Sequence, residues 1–304
     1  MDKKIITMKT KRNIFIILML LFPLLQFSIF TVYTNLSTIV MGFQSFDYET
    51  NQVYFAGFEN LRRFIIEYRT TTMWRTAIVN SFWYFPLTVG ITLPLTVIFA
   101  YFLKNGVKFA GFFKVVFYIP NIVSIVVMAL VFKSLFHYNG PVNTILVNVF
   151  NVSKNDIPIW FNEAGVTMKV LYFYAIWAGI GGNIIIMFGA MARVPKELCE
   201  AGALDGVGTW RELFQIYLPI IWPTVSTLIV FGVASMFSMF LHTQVLTDGA
   251  GESWTVASIL MTKVKENNNP YYAAMISLII TIFAVPVTQF VKWAVGKVWA
   301  DVQV

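Results

Sequence analysis

The sequence predicts an all-α integral membrane protein with six transmembrane helices and both termini in the cytoplasm. Three observations predict it: 58% hydrophobic against 12% charged residues, six long apolar segments, and a formal charge of +7 that falls on one side of those segments. An ordinary soluble domain is about a quarter charged. No polar stretch here is long enough for a second, water-soluble domain, so residues 1–304 read as one transmembrane domain.

Roughly 20 residues at a helical rise of ~1.5 Å cross ~30 Å of hydrocarbon. The segments that qualify are 14–33, 77–103, 115–136, 170–191, 220–241 and 272–293. The first follows the basic start MDKKIITMKTKR, as a signal peptide would. Its apolar run exceeds an ordinary signal core, however, and Tyr33-Thr34-Asn35 is no small-residue cleavage site, so it reads as an uncleaved span. Every span contains Gly, Pro, Ser or Thr, which membrane helices tolerate where neighbours satisfy the freed backbone groups. No period-2 pattern suggests a barrel. Trp74, Trp160 and Trp254 fall in the external connections 34–76, 137–169 and 242–271, as membrane-interface residues do, and Asn60 to Tyr68 reads as a short amphipathic turn on the outer surface.

Orientation follows from the basic residues beside the spans. With the N-terminus inside, Lys3, Lys4, Lys9, Lys11, Arg12, Lys104, Lys108, Lys114, Arg193, Lys196, Arg211, Lys292 and Lys297 are cytoplasmic, against Asp2, Glu197, Glu200, Asp205, Glu212 and Asp301. The external side is then balanced and the whole +7 lies inside. Scattered beside spans, these residues face anionic lipid and determine topology; despite a pI near 9.4, no nucleic-acid role is assigned. The single cysteine, Cys199, excludes an intrachain disulfide and reads as a small, semi-apolar helix residue.

The internal connection from Val194 to Pro219, VPKELCEAGALDGVGTWRELFQIYLP, is the most patterned polar stretch. Pro195 suits a first helical turn, and Glu197 and Glu200 suit its positive end. The pattern predicts a helix over Lys196–Leu204, a turn at Asp205-Gly206, a second helix over Trp210–Tyr217, and Pro219 in the first turn of the fifth span. Small residues Ala201, Gly202 and Ala203 admit close approach of another surface, with Leu198 and Leu204 as apolar anchors. A connector resting on the headgroups is equally compatible with the physics alone.

Glu200-Ala201-Gly202, Gly206, Ile216, Leu218 and Pro219 resemble the EAA signature of binding-protein-dependent ABC importer permeases, EAA-x3-G-x9-I-x-L-P; Gly202 replaces the second alanine. The span order, Phe55 to Leu61, Asn139 to Asn143 and Leu246 to Gly249 are similar to the carbohydrate, MalF-like or UgpA-like, branch. The resemblance implies a type I ABC importer permease architecture in the bacterial cell membrane. Its implied partners are a second homologous permease, a dimer of cytoplasmic ATPase subunits that bind ATP and Mg, and an extracellular solute-binding protein. It places Glu200, Ala201, Gly202, Asp205, Gly206, Ile216, Leu218 and Pro219 at the ATPase contact. The chain has no G-x-x-x-x-G-K-[ST] loop of its own.

The same resemblance places the sugar between the spans flanking this loop. There Trp177 offers a stacking face, Asn183, Ser235, Ser238 and Gln244 offer hydrogen bonds, and Met236, Met239 and His242 complete the candidate path. The glycines and serines also suit close helix packing. A secondary transporter or channel for a small polar solute is the alternative, but ion coupling usually shows ionisable residues buried mid-span, and none lies there. An intramembrane enzyme needs a nucleophile with a base or a metal cluster. His137 and His242 sit at span ends, and His242 with Asp248 and Glu252 reads as a polar loop, so no metal, no bound cofactor and no catalytic residue are expected.

Overall fold

In the computed structural model, which describes residues 8–47, 49–266 and 270–298, nearly every element is helical. Asp2, Lys3, Lys4 and Asp301 of the charge reading lie outside the described residues. Five described helices are long and apolar enough to cross a membrane, and six when one bent pair counts as a span. The described residues fall into two compact units, one reaching Ile65 together with Lys263–Ile279, the other Ile66–Thr262 together with the chain from Ile280.

In the first unit, α1 (Met8–Phe27), a wider π-helical stretch (Ser28–Tyr33) and α2 (Thr34–Gly42) run on as one apolar helix with none of its apolar window buried. Side chains such as Phe15, Phe22 and Phe30 are therefore free to face lipid. An antiparallel hairpin follows, β1 (Gln44–Asp47) with β2 (Gln52–Phe55), Gln44 opposite Phe55. The Thr50 hydroxyl and the Glu49 N–H both donate to Asp47 in its turn and hold that carboxyl below the usual range. The sequence reading contained no strands; four-residue strands closed by a polar turn leave too short a pattern to register. Asn60, buried in the first turn of α3 (Glu59–Thr70), ties the hairpin to α2 by donating to the carbonyls of Gly42 at 3.0 Å and Gln44 at 2.8 Å. The amphipathic turn expected over Asn60–Tyr68 is thus part of a regular helix.

The second unit holds the middle spans and the later part of the last one, which begins in the first unit. α4 (Met73–Leu87) continues through a π-helical turn (Thr88–Thr92) into α5 (Leu93–Lys104). Pro86 and Pro94 flank that turn, and each removes a backbone donor that an α-helix needs. Then come α6 (Ala110–Ile122) and α7 (Ile125–Leu135). Residues 115–136, expected as one span, are not one rod: these two helices meet at a bend of 105°. Pro120 cannot donate within α6, and Val123 and Ser124 adopt extended backbone between the helices, which breaks the ladder there.

α8 (Pro141–Asn148) leads to the long α9 (Thr167–Met191), α10 (Lys196–Leu204), α11 (Thr209–Arg211), a π-helical stretch (Glu212–Tyr217) and α12 (Leu218–Ser238). The last three form one continuous helix, Thr209–Ser238. Trp210–Tyr217 is therefore not a separate helix, and Pro219 lies well inside rather than at a start. Pro219 cannot reach the carbonyl four residues back, and the wider turns immediately before it accommodate that loss. α13 (Leu241–Leu246), α14 (Val256–Glu266) and α15 (Pro270–Gly296) complete the order.

Two large apolar clusters hold this unit, beside a smaller one of Leu103, Ile180 and Ile184. One joins Leu93, Val97 and Tyr101 of α5 to Met187 and Met191 of α9 and to Leu213, Tyr217 and Ile221. The other joins Tyr84, Met128, Phe132, Leu171, Tyr174 and Leu246. Between them α6 crosses α9 so closely that a Cβ at Gly181 would lie 1.9 Å from the Phe117 carbonyl oxygen. Only glycine permits that crossing.

Candidate functional site

The loop after α9 is built around a glycine-capped helix. Gly206 adopts φ +73°, and the N–H groups of Gly206 and Val207 return to the carbonyls of Ala203 (3.1 Å) and Gly202 (2.9 Å). This paired closure satisfies carbonyls that the helix end leaves free, and a side-chain-bearing residue adopts its left-handed geometry only at a cost. It ends α10 abruptly and turns the chain toward Thr209. Asp205 sits at the helix end and is exposed.

Which face α10 buries is decided by residues three apart. Cys199 is half-buried and Gly202 buried, while Glu200, Ala201, Ala203 and Gly206 are exposed. Gly202 meets Ile216 so closely that an added Cβ would stand 2.8 Å from Ile216 Cδ1. The glycine that departs from the EAA pattern is therefore the point where α10 seats on the following helix. On the open face, Leu198 is 42% and Leu204 90% exposed. The described residues leave Leu204 almost wholly uncovered. Leu218 and Pro219 are half-buried beyond the seat, Leu218 packing against the apolar cluster beneath it.

Beneath α10 lies a group of polar side chains. The Tyr101 hydroxyl donates to Glu212 Oε2 at 2.7 Å, and Lys104 Nζ donates to the Tyr217 hydroxyl at 2.8 Å. The rings of Tyr101 and Tyr217 meet edge to face with centroids 5.2 Å apart.

The candidate path residues are arranged less tightly. Trp177 of α9 is 38% exposed and stacks on Phe132 with centroids 6.1 Å apart. Tyr174 joins it to His242, which is buried and shares a 2.9 Å hydrogen bond with the Tyr84 hydroxyl through Nε2. The hydroxyls of Ser235 and Ser238 donate within their own helix, to Gly232 (2.7 Å) and Ala234 (3.0 Å). Gln244 donates from Nε2 to Asp248, and its Oε1 is buried with no donor among the described residues. Met239 packs into the neighbouring apolar cluster, while Met236 and Asn183 are half-buried. Trp177 and His242 thus share one aromatic group, whereas the two serines are spent largely on their own backbone. Among the described residues no group of three His, Cys, Asp or Glu side chains is placed to hold a metal.

Against this architecture, the sequence pattern of the family described as the binding-protein-dependent transport system inner membrane component matches residues 92–299. The chain belongs to this family. It is a multi-pass permease of the bacterial inner membrane, a transport subunit rather than an enzyme. The arabinooligosaccharides transport system permease protein AraP of Bacillus subtilis (strain 168) is 27% identical over 263 residues, 85% of this chain and 81% of that one. The maltose/maltodextrin permease MalF of Escherichia coli (strain K12) is 27% identical over 165 residues, 54% of this chain and 31% of that one. A crystal structure of a bacterial ABC transporter involved in import of the polysaccharide alginate matches with a TM-score of 0.75 at 19% identity, over 95% of this chain and 98% of that chain. At that identity the match establishes the shared ABC importer permease fold.

The polar group under α10 escaped the sequence reading of the permease. Its members come from positions as far apart as 101 and 212, and Tyr101, Tyr217 and Cys199 each fit an ordinary apolar helix face. The only local signal was the three-residue spacing of Cys199 and Gly202, which marks the buried side of α10.

Proposed function

We propose that this permease forms half of the translocation pathway for a sugar or oligosaccharide in a binding-protein-dependent ABC importer. A second homologous permease supplies the other half. A pair of cytoplasmic ATPase subunits binds ATP and Mg and hydrolyses the nucleotide, and an extracellular solute-binding protein delivers the sugar. Both termini and α10 lie on the cytoplasmic side, with anionic lipid beside the basic span ends. Nothing in the charge pattern calls for nucleic acid.

The observation that carries the reading is α10 itself: an exposed helix, stopped by Gly206, seated through Gly202 on Ile216, with Glu200 and Leu204 displayed outward. Glu200 meets a basic residue of the ATPase and Leu204 an apolar patch. The carbohydrate assignment draws on the arabinooligosaccharide and maltodextrin relatives and on Trp177, whose part-open ring face suits the apolar face of a sugar.

Glu200→Arg and Gly206→Asp, each with membrane expression intact, should abolish sugar uptake and release the ATPase on purification. Normal uptake in both would sink the assignment of α10. For the path, combined Trp177→Ala and Ser238→Ala should weaken the apparent affinity of transport, and an unchanged affinity removes both residues from it.

A further inference from the structure

The Tyr217 hydroxyl stands where three elements meet. Lys104 Nζ, from the end of α5, donates to it at 2.8 Å; Cys199 Sγ, from α10, lies 3.5 Å away as a second donor; its own proton faces Asn105 Oδ1 at 3.5 Å. A phenol offers one proton and accepts through its lone pairs, so all three contacts are open to it; the Lys104 bond is the short one, and the Cys199 thiol is shared with the Pro195 carbonyl at 3.8 Å. The surroundings fix the ring as well. Tyr217 is 2% exposed, Lys104 Nζ lies 4.4 Å from its centroid, and Tyr101 abuts its face while holding Glu212.

Tyr217 also ends the π-helical turn before Pro219, where the backbone ladder is interrupted and side chains carry more of the geometry. Apolar packing is non-directional and lets one helix slide over another, whereas a hydroxyl shared by three elements fixes their separation in several directions. We infer that Tyr217 is the positioning residue that makes α10, the end of α5 and the Thr209–Ser238 helix move as one body when the ATPase displaces α10. It touches neither sugar nor nucleotide. The inference rests on the reading of α10 as the ATPase contact.

The test uses the assembled complex in lipid, with cysteine-free partners and Cys199→Ser in this chain, which keeps an O–H donor for Tyr217. Spin labels replace Lys196 at the start of α10 and Lys108 beyond α5, both exposed, and their separation is measured by dipolar electron paramagnetic resonance without nucleotide and with ATP and vanadate. The separation should be the same in both states. Adding Tyr217→Phe should make it shift on nucleotide binding by about 1–2 Å, the scale of helix displacements in coupled proteins. Equal separations in the Tyr217→Phe chain, or a shift in the chain that retains Tyr217, overturn the inference. If Tyr217→Phe fails to assemble, Lys104→Met removes the charged donor and is read against the same outcomes. Retention of the ATPase with normal uptake in Glu200→Arg would defeat the underlying reading, whereas loss of both in Glu200→Arg beside an immobile Tyr217→Phe chain defeats the inference alone.

Discussion

The two polar groups of the second unit differ in how fully they spend their hydrogen bonds. Under α10, the Tyr217 hydroxyl and the Tyr101–Glu212 pair are matched donor to acceptor across elements distant in sequence. Around α13, His242 shares one bond with Tyr84 of α4, but the serines of α12 turn back on their own helix and Gln244 Oε1 is buried without a donor among the described residues. Matched groups resist displacement, while unspent acceptors tolerate rearrangement. The difference fits the roles proposed above, a rigid seat for force under α10 and an adaptable lining for a polar solute around α13.

The largest effect should come from the close crossing of α6 and α9. Gly181→Leu puts side-chain atoms into the Phe117 backbone, which no rotamer relieves. It should cost about 3 kcal/mol or more and leave no monodisperse protein on size-exclusion chromatography in detergent. Next, Glu212→Ala strips the buried Tyr101 hydroxyl of its acceptor, and thermal unfolding in detergent should report a loss of about 1–3 kcal/mol. The smallest effect belongs to Gln244→Met. Its Oε1 has no bond to lose among the described residues and Asp248 is exposed to water, so unfolding should change by less than about 1 kcal/mol. Equal losses in Glu212→Ala and Gln244→Met would erase the contrast between the two groups.

What could be read beforehand followed from local chemistry. Pro195, the acids at 197 and 200 and the glycine at 206 bound a helix without reference to anything else, and α10 runs over Lys196–Leu204. Apolar length likewise located the helices. The bend at Val123-Ser124 was not legible, because hydropathy continues through it and Pro120, its one local signal, is a residue that membrane helices also tolerate without breaking. Continuity of the helix through Pro219 was hidden for the opposite reason: proline usually signals a start, and here the wider turn before it absorbs the missing bond. Lys104 and Asn105 beside Tyr217, and Tyr84 beside His242, lie more than a hundred residues away in sequence, where no periodicity within one element can announce them.

The contact between Gly202 and Ile216 amounts to an exchange rate between two positions. One methyl group gained at 202 makes Ile216 Cδ1 give way, and one methyl group surrendered at 216 relieves it, because the two share one space. Restoring the alanine of the EAA pattern should therefore be best tolerated as the pair Gly202→Ala with Ile216→Val, and a loop grafted from a relative should carry its own residue at 216 along with it.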